Sequence, residues 1–357
     1  MKIYSRSGLA FLEMIKPSNF HVHWRELSQL PFTVPWSATQ FCYVQGMPNT
    51  TKPLTKPLDA SNYCIQAQHI GNSVNFDFKA FVSLHLTDDT TPADIRAVAQ
   101  SDNILSVKGY PAGATTNSNK GITDWKKVYL ILAIMEEERV PLCVHGEITD
   151  SKVALWDRER VFVDTVLTEI HKAFPQLIII LEHVSTKEGA QFIESTPNHI
   201  GGTVAPHYML CNCNDVYLRP TRNCFPMINS PRDQETVINF AINCQKVFAG
   251  TDSAPHPAWD KFCDHGKGGC CVEPYAVSLY AEAFTRAGAM DERFEQFMGL
   301  RGPKFYGLDE PKEQIVLVQK PIQISKSVQI ACKADATPKA DATPFMAGET
   351  LQWQYVD

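Results

Sequence analysis

No stretch of this sequence is long and apolar enough to span a bilayer. The longest uncharged apolar runs, such as VYLILAIM at 128–135, fall well short of the roughly 20 residues a membrane helix needs. No long cluster of Lys and Arg is present and the net charge is -6, so the basic footprint of a nucleic-acid binder is missing. The eleven cysteines include no C-x-x-C, and CNC (211–213) and CC (270–271) are not zinc-ribbon spacings. They read as reduced thiols, not as a disulfide framework. No G-x-G-x-x-G follows the first candidate strand, which argues against a dinucleotide-binding sheet. Lys2 and Arg6 open the chain, but the apolar piece behind them is brief and broken by Glu13. No signal peptide is therefore expected, and the chain is placed in the cytoplasm.

What is present is an ordinary globular composition, 44% hydrophobic and 20% charged over 357 residues. The length suggests about two domains, yet α/β barrels of about 250 to over 400 residues fold as one unit. Eight short β-rich runs end at HVH (21–23), FCYVQGMPN (41–49), FKAFVSLHLT (78–87), ILSVKGYP (104–111), PLCVHGE (141–147), LIIILEHVST (177–186), HIGGTVAPH (199–207) and KVFAGTDSAPH (246–256). Helical patterns separate several of them, at 124–139, 155–174, 233–244 and 275–288. Near-continuous apolar strands alternating with helices indicate a parallel sheet covered on both faces. Eight such repeats favour a closed (β/α)₈ TIM barrel, class α/β, over an open sheet. The barrel is expected to occupy residues 1–315, with a C-terminal extension over 316–357 packed on it. That extension carries the tandem repeat KADATPKADATP (333–344), which reads as a surface loop without an apolar face.

The polar residues on these runs gather at their C-terminal ends: His21, His23, Asn49, Lys108, His145, His183, Asp252 and His256. In a barrel those ends converge on the face where active sites are built. A structural explanation would need a separate buried partner for each group. Four histidines and Asp252 exceed what one catalytic zinc takes, since such a site keeps three protein ligands and an open position. They suit two divalent ions about 3.5–4 Å apart. Asp252 offsets little of that charge, so a bridging anion is required. Lys108 can become one: a desolvated lysine beside cations has a depressed pKa, and its free amine can take up carbon dioxide as a two-oxygen carbamate. A water between two ions is a hydroxide near neutral pH. Asp252 can take its proton and return it to a leaving nitrogen. Arg25 offers the fork that a carboxylate fits, with Asn49 and His256 left over beside it. This set of residues reads as a two-metal hydrolase acting on an amide-like bond of a small anionic substrate.

HVHWRE, MPNTTKP, VKGYPAGATTNSNKGIT, PLCVHGEIT, LEHVSTK, GTDSAPH and PFMAGET together make the chain resemble the dihydroorotases of the amidohydrolase superfamily, in their shorter single-barrel form. The resemblance implies interconversion of N-carbamoyl-L-aspartate and L-dihydroorotate. It makes His21 and His23 ligands of the more buried zinc, Lys108 the carboxylated bridge, and His145 and His183 ligands of the second zinc. Asp252 becomes the remaining ligand and general acid/base. Arg25, Asn49 and His256 become the clamp on the substrate carboxylate, and Thr115 and Thr116 the tip of a mobile loop over the substrate. Main chain near Phe225 and Gly268 contacts the pyrimidine ring, and a homodimer is expected. Asn19 stands where such enzymes usually have Asp, and APHYML (205–210) differs from their commoner glutamine/histidine pattern, so His207 receives no role. Other cyclic amidases of the hydantoinase or dihydropyrimidinase kind build a sandwich from both chain ends. A first ligand at residue 21 leaves no room for one at the N-terminus. A non-catalytic barrel scaffold is the reading from a different class.

Overall fold

The computed structural model describes residues 1–331 and 340–356. Ten strands come first in the chain: β1 (Lys2–Arg6), β2 (Leu9–Ile15), β3 (Ser18–Val22), β4 (Tyr43–Gly46), β5 (Lys79–Leu86), β6 (Ile104–Gly109), β7 (Leu142–Val144), β8 (Ile179–Leu181), β9 (Ile200–Val204) and β10 (Val247–Ala249). The strands β3 to β10 lie side by side in chain order, every neighbouring pair parallel. The seam between β3 and β10 is closed just beyond the strand end. There the Asp252 amide donates to the His21 carbonyl and the His23 amide to the Ser253 carbonyl, both at 2.9 Å. This is the expected eight-stranded TIM barrel.

Helices fill the crossovers. Pro57–Asn72 starts on a proline, which costs nothing where the first amides lack partners anyway, and it buries Ala60, Tyr63, Cys64 and Ala67 at helical spacing. The expected helix over 124–139 is a 3-10 turn, Trp125–Val128, running into Tyr129–Glu137. The one over 155–174 is broken by a π-helical turn, Val163–Leu167. Below the strands Phe20, Cys143, Ile180 and Phe248 plug the barrel floor, and Phe20 sits so close to Gly302 that a Cβ there would lie 2.3 Å from its ring.

The chain ends pair with each other across the boundary expected at 315. β11 (Gln314–Val318) straddles the boundary placed at 315 and pairs antiparallel with β2 and with Gln354–Val356, while β1 flanks β2. Residues 2–15 thus belong to a four-stranded sheet shared with the C-terminus, and both ends do meet in a small sheet. The pairing joins segments 300 residues apart, beyond the reach of local pattern. The repeat is also more than a loop. Its first copy lies outside the described residues, but Ala340–Ala342 of the second pairs with Val328–Ala331, and Ala342 is buried against Ile330 and Cys271.

Candidate active site

Every ligand candidate is buried on the C-terminal side of the strands. His21 and His23 flank the end of β3, Lys108 is in β6, His145 and His183 follow β7 and β8, and Asp252 follows β10. The Asp252 Oδ1 lies 3.3 Å from His21 Nε2 and 3.1 Å from His23 Nε2. The His145 Nδ1 lies 3.2 Å from His183 Nε2.

The outer ring nitrogens explain what the inner ones are for. His23 Nδ1 donates to Asn49 Oδ1 at 2.8 Å. His145 Nε2 donates to Glu147 at 2.6 Å, and His21 Nδ1 is 2.9 Å from Glu182. A ring whose outer nitrogen carries the proton turns a bare lone pair inward. In this site the inner nitrogens face one another or a carboxylate oxygen, contacts that a bound cation would make favourable. His183 Nδ1 and Lys108 Nζ are fully buried without a hydrogen-bond partner among the described residues. These donors fit a pair of borderline metal ions.

The electrostatics agree. Burial holds His183 well below the usual range and His23 at about 4, so both are neutral and free to ligate. Burial also lowers Lys108, as a carbamate-forming amine requires. Burial opposes ionisation of Asp252, but the His21, His23 and His183 rings close around it outweigh that and hold the carboxyl well below the usual range. For His21 burial opposes the charge too, yet Glu182 and Asp252 outweigh it and raise the ring: positive charge is wanted there. Three site residues carry left-handed backbone, Arg25 at φ 69°, His183 at φ 43° and Asp252 at φ 46°. Each such residue costs on the order of 1–3 kcal/mol unless its surroundings hold it. Tyr63 Oη donates to the Arg25 carbonyl at 2.7 Å, and the His183 amide to Thr203 Oγ1 at 2.7 Å.

The remaining expected residues gather at the mouth. Arg25 Nη2 donates to His256 Nε2 at 2.7 Å, its Nε donates to the Pro255 carbonyl, and the Gly268 carbonyl is 3.0 Å from the same imidazole nitrogen. Gly268 touches Phe225, whose Cδ2 would lie 2.3 Å from an added Cβ. Asn49 lies at the same mouth: its Oδ1 holds His23 and its Nδ2 donates to the Thr116 carbonyl at 3.0 Å. The Thr115–Thr116 loop is likewise better anchored than its composition suggests. Ser118 Oγ accepts from the Thr115 amide at 2.9 Å and Asn117 Nδ2 donates to the Asn49 carbonyl at 3.1 Å. Polar ties do here what apolar packing does elsewhere.

Asn19 has a use. Its Oδ1 accepts from the amides of His21 and Thr251, and its Nδ2 donates to Thr251 Oγ1 and to both oxygens of the buried Glu273. An aspartate here would face Glu273 as a like charge. Glu147, Glu182, Glu159 and Glu273 are the supporting residues that sequence reasoning missed. A signal existed for two, since Glu147 and Glu182 stand within two residues of His145 and His183. The other two reach their partners through long-range contacts.

No protein-family model matches the chain. A dihydroorotase of Coxiella burnetii is 38% identical over 348 residues, covering 96% of this chain and 97% of that protein. The crystal structure of a dihydroorotase from Campylobacter jejuni superposes with a TM-score of 0.86 at 27% identity, covering 99% and 98%. One from Saccharomyces cerevisiae, in complex with 5-fluoroorotic acid, gives 0.85 at 26%, covering 97% and 98%. With barrel, ligand geometry and full-length similarity agreeing, the chain belongs to the dihydroorotases, hydrolases of cyclic amides.

Proposed function

We propose that this enzyme interconverts N-carbamoyl-L-aspartate and L-dihydroorotate, the third step of pyrimidine synthesis, using two zinc ions bridged by carboxylated Lys108. Lys108 carries the reading: a fully buried amine without a hydrogen-bond partner, among four histidines and an aspartate. His21, His23 and Asp252 would hold one ion, His145 and His183 the other, and the Lys108 carbamate both. When bound, the ions supply Lewis acidity to the amide carbonyl and acidify water. Asp252 would receive the proton of the attacking water and hand it to the ring nitrogen that leaves. The C–O bond forms as the carbonyl π bond opens, and the C–N bond breaks as the carbonyl re-forms and the nitrogen takes the proton. Neutral His256, kept so by burial and by Arg25, and the Arg25 guanidinium together offer a planar donor set for the substrate carboxylate. Main chain near Gly268 and Phe225 would contact the pyrimidine ring, and Thr115 and Thr116 would close over the substrate. The orotate analogue bound by the yeast enzyme, itself a pyrimidine carboxylate, supports this substrate class. Operation as a cytoplasmic homodimer belongs to the same proposal.

The test compares L-dihydroorotate with dihydrouracil, the same ring without the carboxylate, on zinc-loaded enzyme. Turnover of the first and none of the second is expected. The reverse preference would transfer the chain to the hydantoinase-like amidases.

A further inference from the structure

A second set of metal-ligating side chains lies beside the active site and has no part in the chemistry above. His207 begins the short helix after β9, Cys224 lies in the loop before Pro226, and Cys270 follows Gly269. One ligand atom from each lies within 4.8 Å of the other two, and all three residues are buried. His207 is 0% exposed, and neither ring nitrogen has a hydrogen-bond partner among the described residues. A buried imidazole with both nitrogens unused is costly, and a metal ion satisfies one of them directly.

The backbone holding the two cysteines is fixed in place. The Gly269 amide donates to the Asn223 carbonyl at 2.8 Å, joining the residues just before Cys270 and Cys224. Lys261 Nζ donates to the carbonyls of Asn223 at 2.9 Å, Gly269 at 2.9 Å and Lys267 at 2.8 Å. This ammonium is buried, and no carboxylate forms an ion pair with it among the described residues. Its charge lies close enough to Cys224 and Cys270 to interact with both, and would favour the thiolates that form when an ion binds. Two thiolates and an imidazole in one pocket are the donor set of zinc and related soft ions.

We propose that His207, Cys224 and Cys270 form a third metal site, distinct from the two-metal centre, for a thiophilic divalent ion of the zinc class. The two cysteine thiols lose their protons when the ion binds, and no electron is transferred. Occupancy would stiffen the segments that carry Phe225 and Gly268.

Cobalt makes the two kinds of site distinguishable. The active centre offers only nitrogen and oxygen ligands, so a thiolate-to-cobalt charge-transfer band reports this site alone. The experiment uses the full chain with thiols reduced and the exposed Cys263→Ser background, loaded with Co²⁺. We expect three cobalt ions per chain and a charge-transfer band. Both the third ion and the band should be lost in His207→Gln and in Cys224→Ser, while dihydroorotate hydrolysis stays within about twofold of the parent. Uptake of cobalt without the band in the parent protein would overturn the site. So would a band that survives both substitutions, or a Cys224–Cys270 disulfide on non-reducing peptide mapping. The parent spectrum decides the matter even if a variant fails to fold, and its outcome does not depend on which substrate the enzyme prefers.

Discussion

Replacing Glu159 by Ala should destabilise the enzyme and disturb His183, although Glu159 touches no reacting group. Its carboxylate is buried and accepts from the Ser185 amide at 3.0 Å, Ser185 Oγ at 2.8 Å, the Thr186 amide at 2.9 Å and Thr186 Oγ1 at 2.6 Å. Thr186 is the N-cap of the helix Lys187–Ser195, whose positive end favours the charged form, while burial pushes the carboxyl up to about 7. Alanine leaves two buried amides without partners, at about 1–3 kcal/mol each. The hydroxyls can rotate to other acceptors, and the void adds a smaller penalty. The total is about 3–5 kcal/mol, and glutamine, which keeps one acceptor oxygen, should lose roughly half. Ser185 is two residues from His183, whose left-handed backbone needs its surroundings to hold it, so metal retention should fall with stability. Gly189→Ala is an independent probe, because its Cβ would lie 2.7 Å from Glu159 Oε1 and displace the carboxylate. The assay is urea unfolding of the metal-free proteins, with metal content measured in parallel. An alanine variant within about 1 kcal/mol of wild type would refute the reasoning, since that lies below the cost of a single orphaned amide.

Asp252→Asn should lower turnover by about 10²–10⁴-fold from the lost proton transfer alone, while the thermal melt stays near wild type; equal losses of activity and stability would mark a structural carboxylate. The Thr115→Ala, Thr116→Ala double variant should lose at least about tenfold in turnover, roughly 1.4 kcal/mol of barrier, at saturating substrate, with metal content and melting temperature unchanged. Unchanged turnover would reduce the loop to a connector. Asp94 gives a pH signature: burial opposes its charge, but hydrogen bonds from Lys56 and Thr91 outweigh it and hold its carboxyl below the ordinary 3.8. A depressed folded pKa stabilises above the unfolded value and loses that stability as pH falls through the folded one. The melting difference between wild type and Asp94→Asn should therefore be constant at neutral pH and shrink below about pH 4.

The barrel and its ligands were legible because strand ends are local. Each of His21, His23, Lys108, His145, His183 and Asp252 closes or follows a short apolar run, and an eight-fold alternation leaves few topologies. What surrounds them was not. Glu273 reaches Asn19 across 254 residues, and Glu159 reaches Ser185 from a neighbouring helix. Neither meeting leaves a periodicity in the chain. The terminal sheet was hidden in the same way, because β2 finds its partner in β11 at the far end of the sequence. Asn49 was read as part of the clamp on the substrate carboxylate, and geometry adds that its side chain also meets His23 and Thr116. The loop that carries Thr115 and Thr116 is tied by hydrogen bonds, which composition does not reveal.

The central claim is that Lys108 bridges two metal ions as a carbamate. The direct measurement is metal content and dihydroorotate turnover of Lys108→Ala, with and without added short carboxylic acids. The bridge predicts loss of at least one ion and of activity, both partly restored by a small carboxylate that takes the vacated position. Full metal content with near wild-type turnover, unaffected by the added acid, would contradict it.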